Sequence, residues 1–174
     1  MKWSSLLIII IASHQFVEAR IIYVDDNAPP GGDGNSWSSA HKYLQDALST
    51  AQSGDELLLA EGTYTPDRGG YNKQGDKMST FVFAQGLNIR GGFLGIEQDG
   101  VQQGDANRTI LSGELSGGSR SVHIAVFSNL TEVTNCSDLR FDGGVSNSSG
   151  TGWCGAATYL YKSNVNFSNC IFSN

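Results

Sequence analysis

The chain is predicted to be an all-β solenoid, a right-handed parallel β-helix with an N-terminal capping helix. Three observations carry this. Short apolar segments recur along the chain, they end in glycine or asparagine, and only one stretch has helical periodicity. LLLAEG at 57–62 is echoed by LNIRGG at 87–92, TILSG at 109–113, LRFDGG at 139–144 and CIFSN at 170–174. Aligned on one another, the first positions are Leu57, Leu87, Thr109, Leu139 and Cys170, and the third are Leu59, Ile89, Leu111, Phe141 and Phe172. The interval is about 30 residues, once about 22, a scale on which each unit buries its apolar face only by stacking on its neighbours. Side chains alternate across a strand, so first and third positions share a face, and that face is expected to line the interior. The glycine or asparagine that follows supplies the backbone freedom to turn a corner.

The elements ahead of the repeats fit the same plan. IIYV at 21–24 is β-branched and aromatic, which favours a short strand. Residues 25–35 are turn formers, with Asp25, Asp26, Asp33 and Asn35 among them. Their spacing lacks the ligand positions of an EF-hand loop, so turn chemistry accounts for them. Ser38 or Ser39 is placed to cap a helix of about 13 residues, with Tyr43, Leu44, Ala47, Leu48 and Ala51 on one face and Gly54-Asp55 at its end.

Residues 1–19 read as a cleavable secretory leader, and 20–174 as one domain. Lys2, the apolar run from Leu6 to Ala12 and the small side chains of Val17 and Ala19 follow in the order such a signal needs, with the cut before Arg20. The run is far shorter than the roughly 20 residues of a membrane span. The formal charge is −6 with 11 Lys and Arg, which argues against a nucleic-acid partner. The 22 glycines and 3 prolines fit many tight turns between short strands.

The N-terminal order IIYVDD (21–26), GGDGNSW (31–37), helix around Tyr43 to Ala51 and GDELLLAEGTY (54–64) resembles the pectin-lyase-like parallel β-helix proteins, the large secreted or surface members above all. GFLGIE (92–97), RTILSGEL (108–115) and GAATYLYKSNVNFSNCIFSN (155–174) continue the likeness. The resemblance implies the fold. It does not choose among lyases, hydrolases and adhesins, which share this architecture. Asn174 falls where a strand should turn, with no polar cap after it, so the chain is read as the N-terminal part of a longer solenoid or as a short one closed by dimerisation.

Asp138, Arg140 and Asp142 alternate with Leu139 and Phe141 and are expected on one outward strand face, the only candidate catalytic cluster. A polysaccharide lyase uses Ca²⁺ to neutralise a uronate and a base to take the adjacent proton, and Ca²⁺ enters only under that reading. Ile110 and Ile171 flank Arg140 in the expected columns and add no charge, so a solvated ion pair is the preferred reading. His14, His41 and His123 are scattered, with no zinc spacing or triad. Asn107, Asn129, Asn135, Asn147 and Asn166 head N-glycosylation sequons, Asn129 and Asn147 being the most loop-like. Cys136 and Cys154 bracket one rung and are the disulfide candidate, with unpaired cysteines the alternative, and Cys170 takes an inward position. Three functional readings follow. The first is a secreted or cell-surface scaffold or adhesion stalk, without catalysis in this segment. The others are a carbohydrate-active lyase or hydrolase, and a carbohydrate-binding module presenting Trp37, Trp153, Tyr159 and Tyr161. The partners implied are polysaccharide or cell-surface glycans.

Overall fold

A computed structural model describes residues 18–70, 72–98, 100–145 and 157–174. Most of residues 1–19, together with Asn147, Trp153 and Cys154, lie outside the described residues. The chain winds into a parallel β-solenoid of about four turns with little helix. Strand β1 (Ile21–Val24) and helix α1 (Leu44–Thr50) come first. One coil then contains β2 (Glu56–Ala60), β3 (Gly62–Tyr64) and β4 (Phe81–Phe83). The next contains β5 (Asn88–Phe93), β6 (Thr109–Ser112) and β7 (Ala125–Ser128). A third contains β8 (Thr134–Ser137), β9 (Arg140–Asp142) and β10 (Thr158–Tyr161), followed by β11 (Val165–Ser168) and β12 (Ile171–Ser173). Three sheets result, ordered β1-β2-β5-β8-β11, β3-β6-β9-β12 and β4-β7-β10.

The interior contains the apolar positions expected for it, except Phe172, which sits in the last strand of its sheet and is 47% exposed. Leu57, Leu59, Leu87, Ile89, Leu111, Leu139 and Phe141 are all buried in one cluster. Their register differs from the single five-fold echo. Leu57 pairs with Ile89 in one sheet, whereas Leu111, Phe141 and Phe172 form a column in another. The echo therefore merged two sheets. In β5 the pairing shifts so that Ala60 meets Phe93, a bulge that absorbs residues at Gly91-Gly92. Gly91 is required there, because a Cβ would stand 2.3 Å from the Asp138 carbonyl oxygen. The third sheet escaped the echo altogether. It supplies Phe81, Phe83, Ala125 and Phe127 to the core, and the Phe83 and Phe127 rings stack with centroids 4.6 Å apart.

The helix is shorter than its apolar spacing predicts. Trp37–Ser39 form a 3₁₀ turn capped by Ser36, whose Oγ accepts from the Ser39 N–H. His41 then bridges to Val24, donating its N–H to the Tyr23 carbonyl and accepting from the Asp25 N–H. Those strand-like bonds hold His41 out of a helix, so α1 begins only at Leu44, with no side-chain cap from Tyr43. Leu44, Ala47 and Ala51 still enter the core, so α1 covers the first coil as a cap.

Corners are turned by residues in left-handed backbone conformation. Asp138 after β8 (φ 57°) and Asn169 after β11 (φ 48°) are stacked equivalents, and so are Asn129 (φ 53°) and Lys162 (φ 47°) after β7 and β10. Asparagine and aspartate tolerate that region better than other side chains, and Lys162 is the exception. Longer arcs are held by buried carboxylates. Asp67, 1% exposed, accepts the N–H groups of Gly75 and Ser116, each at 2.9 Å. Burial alone would raise its pKa, but these donors hold the carboxyl down at about 2.

Two outcomes test this packing. Phe141→Ala should cost about 3–5 kcal/mol in urea denaturation, and Phe141→Asp should leave no cooperative transition. A Phe141→Asp chain that melts like the parent would mean the register is wrong. For Asp67, the folded carboxyl near pH 2 lies below the unfolded value, so its stabilisation is complete above about pH 4 and drains as pH falls toward 2. It amounts to about 2 kcal/mol, and Asp67→Asn should flatten the acid limb of a stability–pH curve by that amount.

Candidate functional site

Of the expected trio, only two residues share a strand face. Arg140 and Asp142 both point outward from β9, with Arg140 Nη2 3.5 Å from Asp142 Oδ1. Asp138 does not join them. Its left-handed conformation places it at the corner before β9, where its carboxylate accepts from Asn169 Nδ2 at 2.5 Å and Gln102 Nε2 at 3.3 Å. The alternation rule failed because the strand begins only at Arg140. The columns are as expected, with Arg140 between Ile110 and Ile171, and Asp142 between Ser112 and Ser173. Ser173 Oγ donates to Asp142 Oδ1 at 2.7 Å and accepts from Arg140 Nε at 3.0 Å. The Ser173 hydroxyl first, and Arg140 after it, hold the Asp142 carboxyl below the usual range. Both groups are occupied by each other and by a serine, so neither is placed as a base.

The sheet containing β5, β8 and β11 presents a second outward column, an asparagine ladder. Asn135 Nδ2 donates to Asn88 Oδ1, and Asn166 Nδ2 to Asn135 Oδ1, each at 2.9 Å. Two sequon asparagines thus hold a strand-to-strand ladder. Asn107 and Asn129, exposed like the two ladder asparagines, lie outside the ladder, Asn129 at a corner. Of the acidic turn residues, Asp33 and Asp25 make the local bonds expected of turns, while Asp26 reaches across to Thr63. Asp33 accepts from the Asn35 N–H and Ser39 Oγ, and Asp25 from the Asn27 N–H.

A cleft that sequence reasoning missed lies beside α1. It has a volume of about 220 Å³ and is lined by Asp26, Lys42, Tyr43, Thr63, Thr65 and Arg68 among others. Lys42 Nζ donates to the carbonyl oxygens of Asp26 (2.5 Å) and Ala28 (3.2 Å). Asp26 Oδ2 accepts from the Thr63 N–H at 3.0 Å. Burial is the main cause raising the Asp26 pKa, with Asp25 and Glu61 adding like charge. Both of those carboxylates are engaged elsewhere, Asp25 by main-chain donors and Glu61 by Arg108. The cleft therefore offers one carboxyl with two cations and several hydroxyls, which suits binding of a polar ligand. The paired free carboxyls of a glycosidase are not assembled there. Its lining comes from three stretches separated in sequence, at 26, 42–44 and 63–68, so it has no local motif to betray it.

Of the remaining described candidates, Cys136 and Trp37 are packed against other side chains, whereas Tyr161 is exposed. Cys136 is buried between Ile89 and Phe167, and burial pushes its thiol far up. Cys170 Sγ lies 3.5 Å from the Cys136 carbonyl oxygen, and among the described residues neither thiol is in a disulfide. Trp37 packs on the rings of Tyr23 and Phe93, at 4.9 and 5.6 Å. His123 lies against Tyr159, while Tyr161 is 45% exposed with Lys162 over its ring. Among the described residues no group of three or more His, Cys, Asp or Glu is placed to hold a metal. No described helix is long and apolar enough to cross a membrane.

Comparison with family models, curated proteins and solved structures returned no match. The class is thus defined by its architecture: a parallel β-solenoid capped by a short helix. The Arg140–Asp142 pair, both partners about one-third exposed, should behave as a surface pair. Arg140→Ala is expected to change urea-denaturation stability by less than about 1 kcal/mol.

Proposed function

We propose that the protein is an exported parallel β-helix, secreted or cell-surface, with a structural or adhesive role and no catalysis in this segment. The observation that carries the reading is the self-satisfaction of its outward faces. The Asn88–Asn135–Asn166 ladder and the Arg140–Asp142–Ser173 network use their polar groups on one another. A lyase site needs a metal-held uronate and a base within reach of one proton, and these columns present instead Ile110, Ile171 and paired side chains. Export rests on the leader-like order of residues 1–19. The secreted product, incubated with pectate and alginate with and without Ca²⁺, is expected to yield no absorbance from unsaturated ends. Turnover abolished by both Arg140→Ala and Asp142→Ala, with folding intact, would make the enzyme reading the better one.

The cleft at Asp26, Lys42, Tyr43 and Arg68 favours a second reading, recognition of a glycan. Cations beside hydroxyls suit an acidic sugar. On a glycan array, binding that Lys42→Ala and Arg68→Ala each weaken about tenfold would support it. Binding unaffected by either change would place the adhesive surface elsewhere.

A further inference from the structure

The segment just before β1 is held by a buried carboxylate, Asp55, which accepts the Arg20 main-chain N–H. Asp55 has a side chain that is 0% exposed. Its Oδ1 accepts the Arg20 main-chain N–H at 2.9 Å, and its Oδ2 accepts the Gln52 N–H at 2.9 Å and Arg20 Nη2 at 2.6 Å. Arg20 Nη2 also donates to the Thr50 carbonyl, and the Arg20 carbonyl accepts the Glu56 N–H, the first rung of the β1–β2 ladder. Glu18 and Ala19, ahead of this clamp, are exposed and in no regular structure. The nitrogen on which Asp55 converges is the one that the expected leader cut would free.

We propose that cleavage between Ala19 and Arg20 completes the N-terminal cap, by turning the Arg20 nitrogen into an α-ammonium that Asp55 binds as an ion pair. The inference rests on the export reading and goes beyond it. In the cut, water adds across the Ala19–Arg20 peptide bond. Ala19 leaves with the new carboxylate, and the Arg20 nitrogen takes up protons to become –NH₃⁺. In the uncut chain that nitrogen is a neutral amide with a single donor. After the cut it offers a full charge and three donors at hydrogen-bond distance from a carboxylate shielded from water. Charge-assisted bonds of this kind are roughly twice as strong as neutral ones, and burial reduces their screening. Asp55 also closes the Gln52–Asp55 turn after α1 and stands beside the first strand pairing. Processing and capping are thereby joined. The leader is removed from an exposed segment, and the end it leaves is drawn onto the first coil.

Two experiments separate this from the leader reading itself. N-terminal sequencing of secreted material should begin at Arg20, and a product retaining Met1 or starting elsewhere would overturn the processing half. Independently, chains released from a fusion to start at Arg20 or at Ala19 carry the same net charge, but only the first puts its ammonium on Asp55. The Arg20-start chain should melt about 3 °C or more above the Ala19-start chain, and Asp55→Asn should erase the difference. Should Asp55→Asn fail to fold, cyanate carbamylation gives a direct readout by mass spectrometry. The folded Arg20-start amine should react at least about tenfold more slowly than the folded Ala19-start amine, reflecting its engagement by the carboxylate. Equal melting temperatures together with equal carbamylation rates would sink the ammonium–carboxylate pair while leaving the cleavage reading standing.

Discussion

A coil of this solenoid has no core of its own, and its apolar side chains are shielded only by the coils on either side. The column Tyr64, Leu111, Phe141 and Phe172 shows the consequence. Tyr64, Leu111 and Phe141 are buried, whereas Phe172, last in the column, is 47% exposed although its ring stacks on Phe141 at 5.0 Å. Leu160 and Tyr161 of the last strand of the third sheet are exposed to a similar degree. At the opposite end the same demand is met by α1 and its C-cap, which supply Leu44, Ala47 and Ala51 in place of another coil. Everything else about the fold, from short strands to left-handed corners, serves to keep those columns in register.

Parallel in-register stacking also constrains the outside. Each outward residue sits about 4.8 Å from its neighbour in the next coil, so like charges stacked there would repel. Asparagine, donor and acceptor at once, tolerates repetition, and the Asn88–Asn135–Asn166 column uses this. Charged residues are instead isolated in their columns, Arg140 between isoleucines and Asp142 between serines. In the described columns the outward polar groups thus bond to one another.

The acidic character finds a use in the arcs between strands. Loops expose main-chain N–H groups without ladder partners, and carboxylates accept them, Asp25 and Asp67 buried and Asp26 and Asp46 partly so. Asp25 takes the Ile96 N–H, Asp26 that of Thr63, Asp46 that of Gly70, and Asp67 those of Gly75 and Ser116. Each joins segments distant in sequence. Aspartates that read as turn formers by composition are thus partly long-range staples.

What the sequence determined by itself was the class of fold, the apolar positions facing inward, and the turn chemistry of Asp25, Asp33 and Asn35. These depend on local alternation and on backbone preferences that neighbouring residues express directly. Register was decided only by tertiary structure. LLLAEG and LRFDGG look alike because both are buried strands ending at a corner, and nothing local says that they belong to different sheets. The third sheet was illegible for a related reason, since strands of three or four residues such as FVF and AVFS carry too short a pattern to stand out. His41 was diverted from the helix by its pairing with Val24, a contact that propensity does not encode. Asp138 left the strand for a corner, and the cleft around Asp26 and Lys42 exists only where the first coil folds against the cap. In each case a side chain's role is set by partners in another coil or in the cap.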